Sequence, residues 1–286
     1  MSTAAADPIA RLAGRPILVF VAHGDDAALF AGGTLRLLAD AGCAIHLVRF
    51  TDDCTDSAGL DPAQTIERNH DELEAACRIL GIAERTDLGY PSDTLGDVRR
   101  GELREHAIRL IRQVRPYAVL TFDPYAAFGE DNQDHVRVAQ EVDEAFWTAM
   151  FDKHHPEHLL AGLAPHGVVE RWYFGRQVIA PSEVIDITGS LAAKAEAAVA
   201  HRTMMGNLVH QLALMAGTAG LDRDQVADRL ADQDDLVRRM VQRSASEAFR
   251  VVQFAGFAEL FAGLQETSEP AASGPAGSNP RQRESR

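Results

Sequence analysis

The chain has 286 residues, of which 46% are hydrophobic and 24% charged, and its formal net charge is -14. This length suits one large domain or two small ones with a sizeable buried core. The acidic balance disfavours nucleic acid and anionic membranes as partners, because both repel a negatively charged surface.

The start of the chain predicts neither a membrane span nor a secretory signal. The longest apolar run there, residues 17–22, is far shorter than the ~20 residues of a membrane-spanning helix. Residues 1–14 lack the basic region that opens a signal peptide. The three cysteines, Cys43, Cys54 and Cys77, are odd in number and lack CxxC spacing, which favours free thiols in a reducing compartment. We therefore expect a cytoplasmic protein.

Short apolar runs alternate with segments of helical period in the first half of the chain. The predicted strands lie at residues 17–22, 44–50, 85–88 and 117–122, and the predicted helices at residues 32–41, 65–80, 101–114 and 134–150. This alternation is typical of βαβ units and a parallel sheet covered on both faces. We expect an α/β protein with a Rossmann-like three-layer αβα architecture and a mostly parallel sheet.

The pattern is less regular after residue 150. We predict a loop at residues 151–167, one or two strands that could be antiparallel at 168–179, and helices at 189–215 and 221–243. Residues 266–286 are dominated by Ser, Pro, Gly, Arg and Glu, a composition that cannot bury a core. The sequence predicts one domain, residues 1–265, and a disordered C-terminal tail, residues 266–286.

A polar cluster, His23-Gly24-Asp25-Asp26, directly follows the first predicted strand. His23 and Asp26 supply an imidazole and a carboxylate, two of the three protein ligands of a hydrolytic zinc site. Asp25 beside them suits a general base for a metal-bound water. On the residues alone, the carboxylates could instead cap the following helix. A phosphate-binding loop is disfavoured, because the glycine spacing does not fit GxGxxG and two acids repel phosphate.

Residues 22–26, together with Gly32-Gly33-Thr34-Leu35, resemble the opening motif of the LmbE/PIG-L deacetylases. These are zinc-dependent N-deacetylases that act mainly on N-acetylglucosamine-type sugars and their conjugates. The family usually has proline where this chain has Gly24 and an acid where it has Ala28. The resemblance, which extends over most of residues 16–255, implies that His23 and Asp26 are zinc ligands and that Asp25 is the general base.

A second cluster, Asn132-Gln133-Asp134-His135, follows the predicted strand 117–122 and resembles the later His-Pro-Asp-His motif of the family in its last two residues. The match implies that His135 is the third metal ligand, while capping of the helix is the alternative. Asn132 replaces a histidine that stabilises the oxyanion or acts as an acid. Its amide can bond an oxyanion but cannot protonate a leaving amine. Either Asp25 then serves as base and acid, or another residue supplies the proton, or activity is weakened or lost.

Two further positions are implied to contact substrate. Arg68 precedes Glu72-Leu73 as in the Arg-x-x-Glu-Leu helix of the family, but one residue further away. Asp93 ends a segment, residues 88–93, that resembles a loop with a substrate-contacting aspartate. The resemblance implies that Arg68 and Asp93 contact sugar hydroxyls or an attached group. A surface ion pair and a turn-capping aspartate are the alternatives.

Several histidines and a late segment have open or structural interpretations. His201 follows a segment like the later strand and helix of the family, and it could approach the site or be structural. Residues 247–249 are assigned to packing. The histidines of the loop at residues 151–167 could form a second metal site, a solvated loop or a lid over the cleft. They are His154, His155, His158 and His166.

We therefore expect a zinc-dependent N-deacetylase or amidase, a hydrolase of linear amide C–N bonds in which a metal-bound water attacks the substrate. The N-acetylated amino sugar or sugar-containing metabolite comes only from the resemblance. The alternatives are an amidase on a thiol conjugate or natural-product intermediate, a catalytically weakened binding protein, and a nucleotide-binding domain. Iron, manganese or cobalt could replace zinc at such a site. A homo-oligomer is compatible with the resemblance, although no stretch of sequence shows an interface.

Overall fold

The computed structural model describes residues 7–253, and seven strands in this part of the chain form one mixed sheet. The strands are β1 Pro16–Val21, β2 Ala44–Thr51, β3 Glu84–Tyr90, β4 Ala118–Phe122, β5 Glu170–Phe174, β6 Glu183–Asp186 and β7 Ser246–Gln253. Their order in the sheet is β3-β2-β1-β4-β5-β7-β6. The pairs β3/β2, β2/β1, β1/β4 and β4/β5 are parallel, and β6/β7 is antiparallel. The mostly parallel α/β fold predicted from the sequence is confirmed.

Helices flank this sheet. Over residues 7–253 they are α1 Pro8–Leu12, α2 Asp26–Asp40, α3 Pro62–Leu80, α4 Arg100–Val114, the 3₁₀ helix Pro124–Gly129, α5 Gln133–Thr148, α6 Pro156–Leu160, α7 Leu191–Ala200, α8 Arg202–Thr218, α9 Arg223–Arg229 and α10 Gln233–Val241. Two groups pack against the sheet, α2 with α3 and α7, and α4 with α5. β1 and β4 are apolar and buried along almost their whole length, as strands covered on both faces are.

The second half of the chain differs from the sequence prediction. β5 lies inside the segment predicted as one or two strands, but it pairs parallel with β4, and the antiparallel pair is β6 with β7. The loop predicted at residues 151–167 contains the short helix α6, and each of the two predicted long helices is divided into two. β6 has only four residues, too few for a period of two to be recognised.

Two sequence predictions concern the thiols and the end of the chain. Cys43, Cys54 and Cys77 are free, as predicted. Of the described residues, 7–252 form one unit. The predicted domain boundary at residue 265 and the predicted tail, residues 266–286, lie outside the described residues. Among residues 7–253, every helix is too short or too polar to cross a bilayer.

A buried carboxylate ties β7 to α2. Glu247 on β7 accepts hydrogen bonds from the backbone N–H groups of Gly33 (3.0 Å) and Thr34 (2.8 Å) in α2. Its Oε1 also accepts a hydrogen bond of 2.6 Å from Lys194 Nζ on α7. A carboxylate can be buried here because each of its oxygens has a donor. The segment 247–249, which the sequence assigned to packing, is therefore also an anchor for α2 and α7.

The close approach of α2 to the residues after β6 requires glycine at position 33. A Cβ atom on Gly33 would lie 2.7 Å from side-chain atoms of Ile187, which is fully buried. By contrast, a Cβ atom on Gly101, in the first turn of α4, would have no heavy atom of a neighbouring group within 4 Å.

We expect Gly33→Ala to lower the free energy of unfolding by about 1–3 kcal/mol, because the added methyl group overpacks the contact with Ile187. The matched control is Gly101→Ala, which should be neutral or slightly stabilising, since alanine is the better helix former. Urea unfolding followed by circular dichroism measures both. Equal stability of the two variants would contradict the packing argument.

Candidate functional site

The candidate site lies where two neighbouring parallel strands end. β1 is followed by a short turn and α2, and β4 is followed by the 3₁₀ helix and α5. Because β1 and β4 are adjacent and parallel, their carboxyl ends meet at one edge of the sheet, where such folds bind ligands. This topology brings His135, in the first turn of α5, next to His23, which lies 112 residues earlier in the chain.

Three buried side chains present donor atoms to one point at this edge. His23 Nδ1 lies 3.1 Å from His135 Nε2, which lies 3.1 Å from Asp26 Oδ1. The ligand atoms of these three residues are all within 4.8 Å of one another. Ligand atoms in a tetrahedral zinc site, each 2.0–2.1 Å from the ion, are separated by about 3.3 Å. The donor types and their spacing therefore fit one divalent metal ion.

Outer carboxylates contact both imidazoles on the side away from this point. His23 Nε2 lies 3.4 Å from Asp134 Oδ2, and His135 Nδ1 lies 3.1 Å from Glu130 Oε2. Asp134 is itself fixed by the backbone N–H groups of Asp93 (2.7 Å) and Leu95 (3.0 Å). Such contacts orient histidine rings around a metal ion. The sequence assigned no role to Asp134 and missed Glu130, because nothing in the spacing of residues 130–135 marks an orienting carboxylate.

The electrostatics of the cluster favour positive charge between the carboxylates. Burial opposes protonation of His135, but the negative charge of Asp26 raises its pKa to about 9. Burial would raise the pKa of Asp26, yet the charge and hydrogen bonds of His135, with those of His23, hold it well below its usual value. A field that stabilises a proton on an imidazole equally stabilises a metal cation, which would displace that proton.

Asp25 has the environment of a free carboxyl group facing a cavity. Its side chain makes no capping hydrogen bond to α2, so the capping alternative does not apply to it. Burial, followed by the negative charge of Asp26, raises the pKa of Asp25 to about 7. Asp26 also departs from the capping alternative, because its Oδ2 accepts from the N–H groups of Ala22 (3.1 Å) and His23 (2.7 Å), which precede the helix.

Asn132 caps α5 with its side-chain oxygen. Oδ1 accepts hydrogen bonds from the backbone N–H groups of Asp134 (2.9 Å) and His135 (3.4 Å). Its amide nitrogen is left available as a donor, and Asn132 lines the same cavity as Asp25. Helix capping and a role in the cavity are therefore compatible at this residue, since they use different atoms of the amide.

A cavity of about 700 Å³ contains five of the predicted site residues and one of the two predicted substrate contacts. The predicted residues that line it are His23, Asp25, Asp26, Asn132 and His135, with Asp93 beside them. Arg68 does not line this cavity and is exposed on α3. Asp93 donates its backbone N–H to Asp134, and its carboxylate accepts from Thr55 Oγ1 at 2.8 Å.

The placement of Arg68 follows from its spacing. The family motif puts arginine three residues before glutamate, and that position relative to Glu72 is held by Asn69, which is buried and donates to the backbone carbonyl of Asp53. One extra residue rotates a side chain by about 100° around a helix. Arg68 is therefore turned toward solvent, and the predicted contact between Arg68 and substrate has no support in the geometry.

Two polar residues near the site were missed or left open by the sequence. Asp56 lines the cavity with a buried Oδ2 that has no hydrogen-bond partner among the described residues, and burial raises its pKa to about 6. His201, between α7 and α8, is 1% exposed and, within residues 7–253, neither ring nitrogen has a partner. Burial lowers the pKa of His201 to about 4, so the ring is neutral at pH 7. His201 does not line the cavity.

Gly24 replaces the usual proline of the family for a local reason. Its backbone N–H donates to Asp53 Oδ2 at 3.2 Å, a bond that proline cannot make. Asp53 is held in turn by Arg49 and Thr51. A chain of buried polar contacts therefore supports the turn that carries His23.

The histidine-rich loop is engaged in structural contacts away from the cavity. His158 is buried, with Nδ1 3.2 Å from Arg112 and Nε2 2.8 Å from Glu105 on α4. His155, Glu157 and His158 are close enough to suggest a second metal group, but the adjacent guanidinium of Arg112 disfavours a cation there. None of the four histidines of the loop lines the cavity, which disfavours a lid.

A family model and a relative of described activity are similar to this chain. The family model for PIG-L, GlcNAc-PI de-N-acetylase, matches residues 18–146. Diacetylchitobiose deacetylase of Thermococcus kodakarensis is 26% identical over 201 residues, which cover 69% of this chain and 73% of the relative.

Solved structures share the fold. N,N'-diacetylchitobiose deacetylase from Pyrococcus horikoshii has a TM-score of 0.67 at 21% identity and covers 86% of this chain and 88% of its own. GalB, the 4-carboxy-2-hydroxymuconate hydratase from Pseudomonas putida, has a TM-score of 0.55 at 22% identity, covering 83% and 96%. At these identities the likeness concerns the fold alone, and the fold hosts more than one reaction. The stretch that the PIG-L family model matches, residues 18–146, carries both motifs of the candidate site.

Proposed function

We propose that the protein is a metal-dependent hydrolase that removes the acetyl group from an N-acetylated amino sugar or a sugar-containing metabolite. The observation that carries this proposal is the convergence of His23, Asp26 and His135 beside the free carboxyl group of Asp25 in one cavity. The deacetylase relative and the GlcNAc-PI de-N-acetylase family model support the amide bond and the sugar class.

His23, Asp26 and His135 would hold the metal ion, and zinc suits this set of two imidazoles and one carboxylate. When bound, the ion would polarise the amide carbonyl and lower the pKa of a water molecule. Asp134 and Glu130 would keep the two rings in their binding orientation, since each contacts the nitrogen on the far side of a ring.

Asp25 would carry the proton transfers. As general base it takes a proton from the attacking water, and it can return that proton to the nitrogen of the leaving amine. One carboxyl group then performs both steps, which removes the need for the histidine that Asn132 replaces. The amide N–H₂ of Asn132 would donate to the oxyanion of the tetrahedral intermediate while Oδ1 continues to cap α5.

Asp93 and Asp56 would bind donor groups of the sugar. Both carboxylates line the cavity, and the buried Oδ2 of Asp56 lacks a donor among the described residues. A substrate hydroxyl group would supply that donor. An unpaired buried carboxylate oxygen costs free energy, and this gives the bound state an advantage over the empty cavity.

We expect the purified wild-type protein to contain about one divalent metal ion per chain, and Asp26→Ala to lose it, because the substitution removes one of three protein ligands. Elemental analysis after desalting measures the content. The matched control is Asp40→Ala at the other end of α2, where the carboxylate is exposed and pairs with Arg36. Wild-type protein that stays free of metal even after zinc addition would contradict the proposal.

We expect Asp25→Asn to lower the turnover number for diacetylchitobiose by roughly 10²–10⁴-fold, because the amide cannot accept the proton of the attacking water. Amine release measures turnover, and the metal content should be unchanged. Full activity of the variant would exclude Asp25 as the base. A metal-loaded wild type that hydrolyses only other N-acyl substrates would move the substrate class to thiol conjugates or natural products, and no turnover of any amide would indicate a binding protein.

Asn132→Ser separates the two uses of the amide, since serine retains a capping oxygen but lacks the N–H₂ group. We expect the melting temperature to change little and the turnover number to fall by about 10–10³-fold. Thermal unfolding and amine release are measured on the same preparation. A variant that loses stability but keeps its turnover number would restrict Asn132 to capping.

A further inference from the structure

The cavity has two walls of different chemistry. One wall comes from the loops after the strands and carries the ionisable groups of the candidate site, with Asp56 and Asp93 at its side. The second wall comes from α2, α8 and α10, which contribute the apolar side chains of Phe30, Met204, Leu208, Met240 and Val241 together with the polar Asn207 and Gln211 of α8. A ligand that fills this space therefore meets apolar side chains as well as hydrogen-bonding groups.

The apolar wall reaches the proposed metal ligands. The ring of Phe30 stacks on that of Phe174, with 6.0 Å between the ring centroids. It meets the ring of His135 edge-on, with 6.1 Å between the centroids. Phe30 is thereby held in place, with part of its surface left toward the cavity. A substituent that leaves the reacting amide on this side therefore contacts apolar surface at once.

Part of this wall is exposed to solvent. Met240 is 41% exposed, and Leu208 and Val241 are only half-buried, although all three side chains line the cavity. Apolar surface in contact with water is stabilised when a ligand covers it. Methionine side chains adapt to irregular apolar shapes, which suits a substituent rather than a fixed protein contact.

The volume of the cavity leaves room for such a substituent. About 700 Å³ lies within the range that encloses a drug-sized molecule, about 300–1,000 Å³, and exceeds the needs of an acetylated monosaccharide. The part of the apolar wall that α8 and α10 supply lies beyond residues 18–146, the stretch that the family model matches.

We propose that the preferred substrate is an amphiphile, an N-acylated amino sugar with an apolar alkyl or aryl substituent that lies against Phe30, Leu208 and Met240. This inference rests on the proposed function and specifies its substrate class. The apolar group could be the aglycone at the anomeric carbon or a longer N-acyl chain, and the experiment distinguishes these two sources.

The experiment compares three substrates with the zinc-loaded enzyme: the methyl and hexyl β-glycosides of N-acetylglucosamine, and the methyl glycoside of N-hexanoylglucosamine. Amine release gives KM and kcat, and calorimetry gives affinity without turnover. Each methylene that is fully buried raises affinity by roughly fourfold. We expect at least a tenfold lower KM for one of the two hexyl-chain compounds than for the methyl glycoside of N-acetylglucosamine, and the identity of that compound gives the source of the apolar group.

Two matched variants locate the contact. Met240→Gln should reduce the preference for the hexyl chain by about three- to tenfold, because it makes part of the apolar wall polar. Met215→Gln on α8 should leave the preference unchanged, since Met215 is also exposed but does not line the cavity. Loss of the preference in both variants, or in neither, would overturn the assignment of Met240.

The outcomes separate this inference from the proposed function. Hydrolysis of all three substrates with equal KM would overturn the amphiphile and leave the deacetylase. Tight binding of a hexyl-chain compound without hydrolysis would leave the amphiphile and overturn the deacetylase, and failure to bind any of them would overturn both. Light scattering measures the oligomeric state. A change of that state in Met240→Gln with unchanged KM values would show that a second copy of the chain covers this wall.

Discussion

The site depends on the burial of like charges at the end of two central strands. Asp26 and Asp134 are almost completely buried, and Asp25 lies beside them, in a region where each unpaired charge would cost several kcal/mol. Backbone N–H groups bond Asp26 and Asp134, and two imidazoles lie between the carboxylates. A divalent cation would neutralise the remaining excess of negative charge. The buried carboxylates that cost the fold stability therefore also form the proposed metal centre.

Much of this arrangement could be predicted from the sequence because it is local. The apolar runs of β1 and β4 and the polar residues after them identify two strand ends, and the rule for parallel sheets brings such ends to one edge. Features that depend on the conformation of the loops could not be predicted in this way. The carboxylate of Glu130 behind His135 and the unpartnered Oδ2 of Asp56 depend on loop conformations that no period in the sequence encodes.

The later elements control the cavity rather than the proposed chemistry. Glu247 bonds the backbone of α2 and the side chain of Lys194, so β7, α2 and α7 are held as one assembly. His201 ends α7, and α8 starts from it, with Thr203 bonded to Glu72 on α3. The apolar wall is thereby positioned through residues remote from the metal ligands. Sequence changes in this region could therefore alter substrate preference while the ligand set stays intact.

Asn132 connects stability with the proposed reaction. An asparagine is among the best helix-capping residues, and its oxygen fixes the first turn of α5, which carries both His135 and Asp134. A histidine at this position could move protons but would cap the helix less well. Asn132 thus holds His135 and Asp134 more firmly than a histidine would. On the proposed mechanism, both proton transfers are then left to Asp25. On that mechanism the reaction depends on the position of one carboxyl group between water and leaving amine, and the turn that carries Asp25 is held by the hydrogen bond from Gly24 to Asp53.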